Sequence, residues 1–131
     1  MSREHDFNIR LLGIFRTEAR EHRLTILSAL RELETGVDAE REAEMIEKAF
    51  RAAHTLKGAA RAINKSQIAD LCQSLEGIFS LLKNGQGRLG REMFHALYEA
   101  IESIEKMEAG SEDGDSTLIG RLNDIRGALD G

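Results

Sequence analysis

The stretch AFRAAHTLKGAARAI, residues 49–63, has the spacing of an amphipathic helix. Its apolar residues recur every three or four positions and share one side of a helical wheel. They are Ala49, Ala53, Leu56, Ala60 and Ile63. A second set of residues lies within about 60° of His54 on the same wheel. This set is Lys57, Gly58, Arg61 and Lys65. The stretch therefore predicts a helix with one buried face and, at the border of the exposed surface, a basic face centred on a histidine.

Similar periodicity predicts two helices up to residue 63, and the second of them contains this stretch. The first spans roughly residues 6–34 and carries an apolar stripe made of Phe7, Leu11, Ile14, Phe15, Ile26, Ala29, Leu30 and Leu33. Thr35-Gly36 ends it, because glycine takes the left-handed C-cap conformation without steric cost. Asp38 is the predicted N-cap of the second helix, which runs from Ala39 to about Ile63.

Three further helices are predicted after it. Asn64 tolerates a left-handed turn, and Ser66 is the predicted N-cap of the third helix. The third and fourth helices carry apolar stripes on Ile68, Leu71, Leu75, Ile78, Phe79 and Leu82, and on Met93, Phe94, Leu97, Ile101, Ile104 and Met107. The segment 109–115 reads as an exposed linker, and a fifth helix covers about 116–130.

Length and composition favour a single all-α domain over the whole chain, 1–131. The chain has 131 residues, no proline and no tryptophan, with 41% hydrophobic and 31% charged residues. Short connections make consecutive helices antiparallel. We therefore expect an up-and-down antiparallel four-helix bundle over about 6–108 with an additional C-terminal helix.

Charge and composition also exclude several classes of function. The formal net charge of −5 argues against nucleic-acid binding, because phosphate affinity needs a basic surface.

No apolar run is long enough for a membrane span or a signal peptide. The single cysteine, Cys72, is expected to be buried and unreactive. We expect a cytoplasmic protein. One E-x-x-H pattern, Glu92 to His95, is too little for a di-iron site, so no metal ligands are predicted.

The basic face suggests chemistry between a histidine and an anion. Residues 51–65 contain four basic side chains and no acidic one. Gly58 lies one turn beyond His54, where its missing side chain leaves space at a cost of about 1 kcal/mol of helix stability. Imidazole is a nucleophile at neutral pH, and nearby cations can neutralise phosphoryl oxygens.

Residues 50–60 resemble the phosphorylation-site helix of histidine phosphotransfer domains, most closely the N-terminal domain of CheA-type chemotaxis histidine kinases. Residues 15–22 resemble the first helix of that family, and residues 75–79 resemble the third. The resemblance implies that His54 accepts a phosphoryl group from an ATP-binding histidine kinase domain and passes it to an aspartate of a response-regulator receiver domain. It also implies that Lys57 assists with phosphoryl charge, that Gly58 keeps the site open and that Glu76 orients the histidine.

Two positions depart from the family pattern. Gln73 stands where a further histidine is common, and Arg61 stands among positions that are usually small. We predict a supporting role for both residues in the site.

The chain shows no glycine-rich nucleotide loop, so we expect no ATP-dependent activity from it alone and no cofactor of its own. We expect the partner domains to bind these cofactors: ATP on the kinase domain, and Mg²⁺ on both the kinase and the receiver domain. We expect a module excised from a larger kinase rather than a free-standing carrier. The alternative is a non-phosphorylated helical adaptor that binds other proteins through its exposed face.

Overall fold

A computed structural model of the chain describes residues 2–110 and 116–130. The described residues form five helices: α1 (Arg3–Thr35), α2 (Ala39–Ala62), α3 (Ser66–Lys83), α4 (Arg91–Glu108) and α5 (Ser116–Asp130). Helix α1 packs against α2 and α4, and α3 packs against α2 and α4, which closes a four-helix bundle. Helix α5 packs on α3 and α4. The predicted all-α fold is confirmed, whereas residues 111–115 of the predicted linker lie outside the described residues.

The ends of α1 and α2 follow the local signals in the sequence. Gly36 has a φ of 82° and closes α1, and the Asp38 side chain accepts a hydrogen bond from the backbone N–H of Arg41 at 2.8 Å. Both signals satisfy backbone groups that a helix end leaves unpaired. They turn the chain back within three residues, so that α1 and α2 lie side by side.

A tight turn at residues 63–65 joins α2 to α3. Asn64 adopts the left-handed conformation with a φ of 62°, as predicted. The N–H of Lys65 bonds to the carbonyl of Ala60 at 2.8 Å, the pattern of a Schellman C-cap. The prediction that Ser66 is the N-cap of α3 is wrong, because the turn is already complete at Lys65 and Ser66 has helical backbone geometry.

The core contains the apolar stripes predicted on α3 and α4, together with most of those on α1 and α2. The first turns of α1 are different, because Phe7, Leu11 and Ile14 are exposed. Helix α1 has 33 residues and α4 only 18, and Arg16 already contacts the last carbonyl of α4, on Glu108. The N-terminal turns of α1 therefore extend past the end of α4, and these three residues of the predicted apolar stripe lie outside the core.

A buried ion pair connects α1 and α4. The Nε atom of Arg23 lies 2.8 Å from Oε2 of Glu108, and both side chains are largely removed from water. Burial raises the pKa of Glu108, although the hydrogen bond from Arg23 opposes this change. The pair fixes the relative position of the two helices at the end of the bundle.

Within residues 2–110 and 116–130, no helix combines the length and the hydrophobicity that a membrane span requires.

Candidate functional site

His54 lies on the outer surface of α2, and its side chain is 63% exposed. Its Nδ1 atom lies 3.2 Å from Oε1 of Glu76, which reaches it from α3. A carboxylate at this distance accepts a hydrogen bond when Nδ1 carries the proton. That tautomer leaves the Nε2 lone pair available on a solvent-accessible ring.

Glu76 is held from its other side by Lys57. The Lys57 Nζ atom lies 2.5 Å from Oε2 of Glu76, and the Glu76 side chain is only 16% exposed. Burial would raise the pKa of Glu76, but the hydrogen bonds from Lys57 and His54 outweigh it and hold the pKa below its ordinary value. Glu76 therefore remains a carboxylate at neutral pH, which is the form that accepts from the imidazole.

Lys57 is buried, whereas the helical wheel placed it on the exposed face with His54. That placement is wrong, because the side chain extends across the α2–α3 interface and ends against Glu76. Its Nζ atom also donates to Oε1 of Gln73 at 3.2 Å. The ammonium group is thus shared by two oxygen atoms of α3, and the four side chains His54, Glu76, Lys57 and Gln73 form one connected network.

Gly58 and Arg61 lie on the exposed face of α2, outside that network. A Cβ atom added at Gly58 would have no neighbour within 4 Å, so the glycine leaves open surface beside the site. Arg61 is exposed as well. Both residues are therefore available to a molecule that approaches the site.

Phe50 belongs to the site and was not predicted from the sequence. Its ring lies nearly parallel to the His54 imidazole, with 6.4 Å between centroids and 14° between planes. Lys83 of α3 places its Nζ atom 5.1 Å from the centroid of the same ring, and it also pairs with Glu47 at 2.7 Å. The signal that could have identified Phe50 is its position four residues before His54, where side chains of one helix meet.

The sequence predicts no metal site and no reactive thiol, and the residues concerned lie outside the network around His54. Cys72 is fully buried, and this burial, with the nearby carboxylates Glu108 and Glu76, raises its pKa to about 12. His95 pairs with Glu99 of its own helix at 2.6 Å. In the part of the chain that the structure describes, no three His, Cys, Asp or Glu side chains converge as a metal site needs.

Residues 10–129 of the chain match the family model described as the Hpt domain. The chemotaxis protein CheA of Bacillus subtilis is 29% identical over 122 residues, 89% of this chain and 18% of that protein. CheA of Halobacterium salinarum is 29% identical over 123 residues, and CheA of Borreliella burgdorferi is 26% identical over 122. The chain thus spans only 14% to 18% of the length of these relatives. The chain is also similar to a solved structure, the phosphorylated P1 domain of CheA3 in complex with CheY6 from R. sphaeroides. The two chains superpose with a TM-score of 0.81 and are 20% identical, and the match covers 92% of this chain and 98% of the P1 chain.

Proposed function

The chain belongs to the Hpt domain family, and we propose that it carries a phosphoryl group on His54. A histidine kinase domain that binds ATP donates the group, and an aspartate of a response-regulator receiver domain accepts it. The observation that supports this role best is the contact between Nδ1 of His54 and Glu76, because it prepares the exposed ring as a nucleophile at Nε2.

The proposed reaction has two displacements at phosphorus. In the first, the Nε2 lone pair attacks the γ-phosphorus of ATP; an N–P bond forms, the bond to the bridging oxygen breaks, and ADP leaves with those electrons. In the second, a carboxylate oxygen of the receiver aspartate attacks the same phosphorus, and the neutral imidazole of His54 leaves. The Nδ1 proton stays on the ring throughout, and the positive charge of the phosphorylated ring is balanced by Glu76.

Lys57 and Gln73 support this reaction through Glu76. The ammonium group of Lys57 lies against the carboxylate, so it keeps Glu76 ionised and fixes its direction. Gln73 holds Lys57 from α3. Arg61 and Gly58 act at the exposed surface, where a guanidinium group can contact phosphoryl oxygens and the missing side chain lets a partner domain come close.

The partner domains are proposed from the relatives. CheA proteins are much longer than this chain, so a kinase domain of such a protein is the proposed donor, and ATP and Mg²⁺ are supplied there. The solved P1 domain is phosphorylated and bound to CheY6, which supports a receiver of that kind as the acceptor. The proposed compartment is the cytoplasm, where ATP is available and a lone thiol such as that of Cys72 stays reduced.

Phosphorylation with a CheA kinase core and labelled ATP tests the proposal. We expect an acid-labile, base-stable phosphate on the wild-type chain and none on His54→Gln, with His95→Gln as the matched control that keeps its label. A receiver domain added with Mg²⁺ should then remove the label. Persistent label on His54→Gln would overturn the assignment, and an unlabelled wild-type chain that still binds these partners would favour the adaptor.

A further inference from the structure

The hydrogen bond between His54 and Glu76 does not by itself fix the direction of the reactive nitrogen. The ring turns about its Cα–Cβ and Cβ–Cγ bonds, and a single contact at Nδ1 does not restrain both of these rotations. Turning changes the plane of the ring and therefore the direction of the Nε2 lone pair. A second contact, one that acts on the face of the ring, is needed to set this plane.

Phe50 provides that contact. It lies one helical turn before His54, and the two rings are within 14° of parallel at a centroid distance of 6.4 Å, a geometry within the range of offset stacking. With this contact in place the His54 side chain is still 63% exposed, so the imidazole stays open to an approaching partner. The ring stack and the hydrogen bond act at different points of the imidazole, so together they restrain its two side-chain rotations.

Phe50 is itself held by groups on both helices. Its side chain is half-buried and packs against the hydrophobic core. Lys83 reaches it from α3, with Nζ 5.1 Å from the ring centroid, which is within cation–π distance. Glu47 keeps Lys83 in place through a contact of 2.7 Å. The ring therefore has a fixed position before any partner binds.

We propose that Phe50 is a positioning residue that sets the plane of the His54 imidazole for phosphoryl transfer. This proposal rests on the proposed function of His54. Attack on phosphorus requires the Nε2 lone pair to point along the axis of the bond that breaks, opposite the leaving ADP oxygen. A ring that samples several planes spends less time on that axis, and misalignment of about 1 Å can slow a reaction by up to about 100-fold.

Two variants of Phe50 separate orientation from stability. Phe50→Leu keeps an apolar side chain of similar reach but removes the flat ring. Phe50→Tyr restores the ring. Phe94→Leu is the matched control, because it makes the same change at a buried position on α4, and α4 does not pack against α2. We expect Phe50→Leu to lower kcat for labelling by the kinase core about tenfold with KM within twofold, and Phe50→Tyr to restore kcat to within twofold.

Nuclear magnetic resonance of the His54 ring gives a second readout. In the wild type we expect ring-proton shifts displaced by the Phe50 ring current and nuclear Overhauser contacts between the two rings. Phe50→Leu should replace them with averaged shifts, whereas Phe94→Leu should leave them unchanged. Wild-type kcat in Phe50→Leu, or a loss of kcat that Phe50→Tyr fails to restore, would overturn the positioning role. Failure of the proposed function is a separate result, because the wild-type chain itself would then carry no label on His54.

Discussion

Nδ1 of His54 and Oε1 of Glu76 are 3.2 Å apart, although one residue belongs to α2 and the other to α3. The contact joins an exposed imidazole to a carboxylate that is mostly shielded from water. The second neighbour of this carboxylate, Lys57, helps to keep it ionised, so the negative charge of Glu76 can act on the ring. The chemistry of the exposed histidine therefore depends on groups that lie beneath the surface.

Replacing Glu76 with Gln should slow phosphorylation of His54 by about 10- to 100-fold, because an amide orients the ring without the negative charge that balances it. The measurement is the rate of labelling by the kinase core. Glu102→Gln, an exposed change on α4, is the control and should label at the wild-type rate. An unchanged rate in Glu76→Gln would rule out the role of the Glu76 charge in balancing the ring.

Acid should weaken the fold partly through Glu76. Its pKa is lower in the folded protein than in the unfolded chain, so the unfolded state binds more protons as the pH falls. The stabilisation is complete above the ordinary carboxyl pKa and is lost as the pH falls through the folded value. Urea unfolding at pH 7 and pH 3.5 should show a smaller loss of stability in Glu76→Gln than in the wild type; equal losses would contradict the assigned ion pair.

Lys57→Met should lower the free energy of unfolding by about 1–3 kcal/mol, because it leaves the Glu76 carboxylate shielded from water without its cation. Urea denaturation at pH 7 measures the change. The double variant Lys57→Met with Glu76→Gln should recover part of the loss, since it removes the unpaired charge. Strictly additive losses would show that the two side chains do not interact.

Gly58→Ala should stabilise the protein by about 1 kcal/mol and still impair phosphoryl transfer. The added methyl group meets no atom of the free protein, so any loss must arise when a partner approaches. Thermal unfolding and labelling rates test the two effects. Gly120→Ala adds a methyl group in similarly open surroundings on α5 and should not alter labelling. Labelling of Gly58→Ala at or above the wild-type rate would argue against a role in access.

Arg23→Met should destabilise the fold by about 3 kcal/mol at pH 7, because Glu108 is then buried without its partner. The loss should be smaller at pH 4. The pKa of Glu108 is already raised, so the folded state holds this proton more firmly than the unfolded chain, and protonation removes the unpaired charge. Urea unfolding at the two pH values provides the test, and a loss independent of pH would contradict it.

Much of the fold follows from periodicity and capping residues. Asp38, Gly36 and Asn64 act at helix ends as predicted because capping depends on a few neighbouring backbone groups. Phe7 and Ile14 show the limit of this approach. They continue the apolar stripe of α1, but burial requires a helix opposite them, and the sequence of α1 contains no information about where α4 ends.

The site was predictable where it depends on residue type and resemblance, and less so where it depends on side-chain conformation. Lys57 appears exposed on a wheel because a wheel ignores the length of a side chain that can reach across to α3. The stacking of Phe50 on His54 depends on rotamers of both residues, which helical spacing permits but does not determine. Arg61 and Gly58 keep their predicted exposure because neither depends on a distant partner.

The turn at residues 63–65 also determines how the site assembles. Since the turn is so short, the groups around His54 come from two helices that are adjacent in the chain, and the loop that must close to bring them together is small. Contacts between such neighbours cost little chain entropy. The network of His54, Glu76, Lys57 and Gln73 therefore belongs to the α2–α3 hairpin alone, and α1, α4 and α5 contribute no side chain to it.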